Sequence, residues 1–149
     1  MAETQEPTIG GPYLAVAVFC EKVLQEGDGV MSLIRIVDRT TVAITSKDAP
    51  EDLPPVTLEQ TLVLSFKSGF ARGKMEVTIK PSTPSGQQLP AVTAGVLFEG
   101  HDRGVNLVCP TRLEVKEEGL YWFDVYVGPE LATRVPYRVL YQRIAAHQS

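Results

Sequence analysis

The chain has 149 residues, of which 44% are hydrophobic and 21% are charged, a balance typical of a globular protein that excludes intrinsic disorder. This length fits one domain with a core of its own. The formal net charge is −4 and the 14 basic residues are scattered, so we expect no binding to nucleic acid.

The amino-terminal segment, the apolar runs and the cysteines predict the cellular compartment of the protein. The amino-terminal sequence, MAETQEPTIGG, is polar and acidic and lacks the basic and apolar parts of a secretory signal. No apolar run approaches the roughly 18 residues that span a bilayer, so no membrane partner is expected. Two cysteines, Cys20 and Cys109, without a cysteine-rich framework favour free thiols. Together these features predict a cytoplasmic protein.

Apolar and polar residues alternate along most of the chain, which predicts β-strands, and helical periodicity is almost absent. Residues 13–20 are apolar on both faces, as expected of a central strand. The EKVLQEGDG segment that follows predicts one helical turn closing on a Gly-Asp-Gly bend.

The next segment is predicted to continue in strands and then to leave the sheet. Residues 30–37 and 39–45 form either one long strand bent at Asp38 or two short strands. Residues 47–55 contain three prolines and three acidic residues, so they predict a loop.

In the second half of the chain, apolar and polar residues again alternate regularly. Strands are predicted at residues 58–67 and 74–80, and again at 92–98 and 105–115, where Pro110 indicates an edge or a bulge. The EGHDRG segment, residues 99–104, is predicted to be the loop joining the last two.

The closing segment predicts a hairpin. Residues 119–127 and 132–142 alternate in the same way as the earlier strands. They flank a short connector made of Gly128, Pro129 and Glu130, which is suited to a tight turn.

About eight regularly spaced strands without helices predict an all-β fold, specifically a two-sheet antiparallel β-sandwich, immunoglobulin-like or similar. Pro110 and Pro136 indicate real sheet edges, which favours a sandwich over a sheet closed on itself. We expect a single domain over residues 11–143, with tails at residues 1–10 and 144–149.

Two segments also share local features with one known group of proteins. The matching residues of the first segment are Cys20, Glu21, Gly29, Ser32, Leu33 and Ile34; the second is GLYWFDVYVGPEL followed by PYRV. In both, the chain resembles an uncharacterised bacterial family of small proteins of unknown function. The resemblance implies a bacterial origin and a sandwich fold, and it brings no activity.

The titratable residues do not assemble into a recognisable catalytic or metal site. His101, beside Asp102 and Arg103, is the one compact titratable cluster, and a Gly-flanked polar segment is first of all a turn. Two histidines and two distant cysteines lack the spacing of a zinc site. We therefore expect no enzyme, no metal and no cofactor. Ligand binding by loops around His101, Asp102 and Arg103 stays an alternative function.

The closing hairpin carries the candidate functional surface. If Tyr121 and Phe123 face the core, alternation places Trp122 and Tyr126 on the outer face, beside Arg134 and Arg138 of the paired strand. Trp, Tyr and Arg are the residues that dominate protein interfaces, so this surface predicts a protein partner or a homo-oligomer.

Two structural alternatives compete with this interpretation of the hairpin. A one-residue slip of register would bury Trp122 in the core. Stacking of Arg138 on Trp122 would give both side chains a purely structural role.

Overall fold

The computed structural model describes residues 10–144. Over that range the chain forms seven strands and no helix: β1 (Tyr13–Gln25), β2 (Met31–Val37), β3 (Arg39–Thr45), β4 (Val56–Ser82), β5 (Val92–Val115), β6 (Gly119–Val127) and β7 (Glu130–Ile144). The predicted all-β class is confirmed. The predicted tails lie outside the described residues, apart from Gly10 and Ile144.

No helix of residues 10–144 is long and apolar enough to cross a membrane. The helical turn predicted after Cys20 is wrong, because β1 continues to Gln25 and pairs there with β2. Local sequence favoured a turn at this position, and pairing with a neighbouring strand overrides that preference.

Strands β4 and β5 are much longer than the sequence predicted. The pairs of short strands expected at 58–67 and 74–80, and at 92–98 and 105–115, are wrong, since each pair is one continuous strand. The loop predicted at residues 99–104 is wrong for the same reason.

Glycines at the middle of this long hairpin explain the difference. Gly69 and Gly73 of β4 have φ values of +59° and +111°, and Gly100 of β5 has a φ of +89°. His101, which pairs with Gly69, also has a positive φ. Such conformations are the ones glycine adopts without steric cost, so the two strands bend together without ending.

The bend lets β4 belong to two parts of the sheet. Its first part pairs with β1 and its last part pairs with β6, while β5 follows it along the other edge. The strand order is β2-β1-β4-β6-β7-β3, with β5 attached to β4. We call the two parts the β1 half (β1, β2, residues 56–67 and 104–115) and the β6 half (β3, β6, β7, residues 74–82 and 92–98).

The result is one curled sheet of seven strands. Because β3 runs parallel to β7, the sheet is mixed. Two separate antiparallel sheets are therefore not confirmed: β4 and β5 run through both halves and connect them.

The chain passes from one half to the other at Asp38. Strand β2 pairs with β1, whereas β3 pairs with β7, so two short strands form instead of one bent strand. The backbone amide of Arg138 donates a hydrogen bond to the carbonyl oxygen of Asp38 at 3.0 Å, which fixes this crossing.

The two prolines that predicted edges occupy different positions. Pro110 lies in β5, which pairs only with β4 in residues 10–144, so the predicted edge is found there. Pro136 lies in β7, between two other strands. Its missing amide is tolerated because the parallel pairing with β3 starts only at Arg138.

The core lies between the two halves and is tied together by aromatic rings. The ring of Phe19 in β1 lies 4.9 Å, centroid to centroid, from both Phe123 of β6 and Tyr137 of β7. Phe66 and Phe98 form a second such contact at 6.1 Å. Edge-on contacts of this kind add to the burial of apolar area, so they hold the curled sheet closed.

Candidate functional site

The outer face of β6 and β7 carries the residues predicted to bind a partner. Along β6 the residues Tyr121, Phe123, Val125 and Val127 are buried, and the residues between them are partly exposed. Trp122 and Tyr126 therefore lie on the outer face, as the alternation predicted. The reversed register, with Trp122 in the core, is wrong.

Trp122 is covered by a neighbouring arginine. The guanidinium carbon of Arg134 lies 4.5 Å from the centroid of the Trp122 ring, and its Nε donates to Oδ1 of Asp124 at 2.7 Å. Asp124 pairs with Arg134 in the β6–β7 ladder, so the carboxylate holds the guanidinium over the ring. The alternative in which Arg138 stacks on Trp122 is wrong in the arginine it names, because Arg134 stacks on the ring instead.

Tyr126, the second aromatic residue predicted on this face, also contacts a cation. Lys80 of β4 places its Nζ 4.6 Å from the centroid of the Tyr126 ring. Arg138 is exposed and pairs with Leu120 across the ladder. Both aromatic rings therefore already contact a cation of the chain, which leaves less of their surface open to a partner.

His101, Asp102 and Arg103 lie at the bend of β5 and not in an end loop. All three side chains are exposed, and they line a shallow depression together with Arg72 and Glu99. Nη1 of Arg103 lies 3.2 Å from Oε2 of Glu99. The bend brings the three predicted residues together, but on an open and solvated surface.

An apolar surface that the sequence analysis missed lies on the outer side of the β1 half. Its centre is a row of three valines across three strands, in which Val18 pairs with Val63 and Val63 pairs with Val108. Val16 and Ile36 flank the row, and we call these five residues the valine face. Ile36 is 62% exposed and Val108 is 40% exposed. Val63, at the middle of the row, is itself buried, so the exposed area of the face belongs mainly to the residues around it.

The borders of the valine face are polar and carry both signs of charge. Glu59 and Arg112 pair across β4 and β5 on the same side of the sheet. At the opposite border the Ser65 hydroxyl donates to Oδ1 of Asn106 at 2.7 Å. The face is therefore an apolar centre with a polar border, which is the layout of a protein interface.

A cavity opens between the two halves along the β5 edge. Its volume is about 390 Å³, and we call it the core cavity. Ile79 and Phe123 form one wall, Cys109 and Leu113 form the opposite wall, and Leu89 from residues 83–91 closes one side. The walls are mainly apolar, because they are the inner faces of the two halves.

The segment that carries Leu89 is held in place by Glu117. The backbone amide and the hydroxyl of Ser85 donate to Oε1 of Glu117 at 3.1 and 2.9 Å. These hydrogen bonds favour the ionised carboxylate and lower the pKa of Glu117 below its usual value of 4.5. The amide of Leu89 donates to the carbonyl oxygen of Pro81 at 2.9 Å.

Acidification is expected to loosen this segment. Since the folded protein lowers the pKa of Glu117, the contact stabilises the structure above the unfolded pKa and is lost as pH falls through the folded pKa. We expect the amide resonance of Ser85 to titrate below pH 4.5 in a nuclear magnetic resonance experiment. In Glu117→Gln the Ser85 titration should disappear, and its persistence there would contradict the assignment.

Both cysteines are free thiols, as predicted. Burial raises the pKa of the Cys20 and Cys109 thiols, so both are protonated and weakly reactive near neutral pH. Residues 10–144 contain no group of three or more His, Cys, Asp or Glu side chains that could hold a metal ion.

Fold and surfaces together define an all-β domain, built from one curled mixed sheet with an apolar outer face and a cavity at its open edge. The chain belongs to DUF6941, a family of unknown function whose model matches residues 15–140. The predicted membership of an uncharacterised family is thereby confirmed. No curated protein matches the sequence.

Proposed function

We propose that this chain is a non-enzymatic interaction module that associates with a second copy of itself through the valine face. The observation that carries the proposal is the exposure of Val16, Ile36 and Val108 around the row of valines on the outer side of the sheet. Contiguous apolar patches exposed on a soluble domain mark surfaces of association, because water is released when they are covered.

The charges at the border favour a second copy as the occupant. A two-fold axis places the same patch on both partners, so a border with one sign of charge would repel itself. The valine face has both signs at its border, in Glu59 and Arg112. Two such faces can therefore meet with valines against valines and with opposite charges across the border.

Association by the face is favoured over pairing of the β2 edge or the β5 edge with another strand. Pro110 removes a hydrogen-bond donor from the free edge of β5. At the β2 edge, Arg35 has a positive φ of 56°, which disturbs a regular ladder. Both features protect an edge against pairing with another strand, whereas the valine face has no such protection.

In this proposal the β1 half and the β6 half act as the two layers of a sandwich.

A reducing bacterial cytoplasm is the compartment that fits two free thiols. The predicted surface around Trp122 is a second candidate for the contact, because Arg134 and Arg138 both stay exposed there, although Arg134 already covers part of the Trp122 ring. Ligand binding around His101, Asp102 and Arg103 has less support, since Arg103 is already paired with Glu99.

The test compares two exposed apolar residues of the same strand. Val108 on the valine face is 40% exposed, and Leu97 on the outer side of the β6 half is 51% exposed. Light scattering on a concentration series of the native chain should give masses above the 16.3 kDa monomer. Val108→Lys should remain monomeric throughout, because it buries a charge at the contact, while Leu97→Lys should associate like the native chain.

A third variant, Trp122→Ser, separates the two candidate surfaces in the same assay. It should associate like the native chain if the valine face makes the contact. Loss of association in Trp122→Ser with retention in Val108→Lys would overturn the proposal and assign the contact to the outer face of β6 and β7. A native chain that stays monomeric at every concentration would overturn both.

A further inference from the structure

We infer that the core cavity is a binding site for a small uncharged apolar molecule with one hydroxyl group, and that the side-chain amide of Gln60 receives that hydroxyl. The inference does not depend on self-association, because the cavity lies within one chain and Arg112 is the one residue named both at its mouth and at the border of the valine face.

The size and walls of the cavity fit such a ligand. Small-molecule sites have volumes of about 300 to 1,000 Å³ and are lined mainly by apolar side chains with a few polar groups. The core cavity has a volume of about 390 Å³, and its lining includes Leu113, Phe123 and Pro90. An aliphatic or aromatic hydrocarbon group fits these walls, whereas a strongly hydrated group does not.

Gln60 supplies the polar anchor. A narrow recess adjoins the cavity and shares Thr111, Leu113 and Phe123 with it, and Gln60 lines that recess. Oε1 of Gln60 is buried and has no hydrogen-bond partner among residues 10–144. Buried polar atoms nearly always pair with protein or water, so an acceptor beside a cavity that has no protein partner is the position at which the donor of a ligand would bind.

The charges at the mouth exclude an ionised ligand as the preferred one. Arg112 and Glu114 both border the opening and have opposite signs. Neither an anion nor a cation gains a net attraction there. The hydroxyl of Thr111 is already engaged, since it donates to the carbonyl oxygen of Cys109 at 3.1 Å. A neutral donor pointing at Gln60 is therefore the complement of this site.

The test uses two probes of the same molecular formula, n-octanol and methyl heptyl ether, which differ only in the presence of a hydroxyl donor. Calorimetric titration should show that the native chain binds n-octanol about tenfold more tightly, the factor expected from pairing one buried acceptor. In Gln60→Leu, which keeps the approximate volume, both probes should bind with equal affinity. A preference for the alcohol that survives in Gln60→Leu would overturn the role of Gln60.

A second variant tests the cavity itself. Leu89→Trp places a larger side chain at the cavity wall and should abolish binding of both probes, whereas Leu97→Trp on the outer face should bind as the native chain does. Saturable binding that is unchanged in Leu89→Trp, or no binding of either probe to the native chain, would overturn the inference. The same titration of monomeric Val108→Lys should give native affinities, which keeps this result separate from the test of association.

Discussion

Replacing Phe19 by alanine is expected to lower the free energy of unfolding by about 3 to 5 kcal/mol. The Phe19 ring is 2% exposed and contacts rings of both β6 and β7, so it joins the β1 half to the β6 half. Alanine would lose these contacts and leave a void that the sheet cannot fill. Domains of this kind are stable by only about 5 to 15 kcal/mol, so the loss is a large share.

The control for Phe19→Ala is the same change at Phe70, whose side chain is 72% exposed at the bend of β4. Phe70→Ala should change the free energy of unfolding by about 0.5 kcal/mol or less. Urea denaturation monitored by circular dichroism measures both values. Equal losses in the two variants would contradict a core held closed by the aromatic cluster.

The second large effect is expected at the bend, where Gly69→Ala should cost more than about 2 kcal/mol. Gly69 has a φ of +59°, a conformation that disfavours any residue with a Cβ. A Cβ at this position would also collide with the carbonyl oxygen of Gly10. That oxygen accepts a hydrogen bond from the amide of Phe70 at 3.0 Å, so the collision would also break this contact.

Two further glycines separate the cost of the positive φ from the cost of the collision with the carbonyl oxygen of Gly10. Gly73 has a φ of +111° but nothing within 4 Å of a Cβ, so Gly73→Ala should show the conformational cost alone. Gly95 has neither constraint, and Gly95→Ala should be neutral or slightly stabilising. Thermal unfolding of the three variants should rank them Gly69, Gly73, Gly95 in order of loss. A Gly69→Ala variant as stable as Gly95→Ala would show that the bend does not depend on glycine.

The strands were predictable from sequence because alternation is a local property. Leu62, Leu64 and Phe66 are buried on one face, as their spacing predicted. The bend was misinterpreted because Gly100 and its polar neighbours have the composition of a turn, whereas a bent strand uses the same residues. The parallel pairing of β3 with β7 joins residues far apart in sequence, and no local pattern encodes such pairing.

The candidate surfaces were predictable to different degrees. The outer position of Trp122 follows from the buried residues on either side of it, but the choice of Arg134 over Arg138 as its cover depends on Asp124 across the ladder. A signal for the valine face was present, since residues 13–20 are apolar on both faces and no predicted helix could cover the outer one. The core cavity had no such signal, because it depends on where residues 83–91 pack.

Isotope-filtered nuclear Overhauser spectroscopy on a mixture of labelled and unlabelled chains tests self-association through the valine face most directly. Contacts between copies should arise from the methyl groups of Val16, Val18 and Val108 at protein concentrations where the mass exceeds 16.3 kDa. Contacts between copies that involve Trp122 and Tyr126 alone, or none at millimolar concentration, would contradict it.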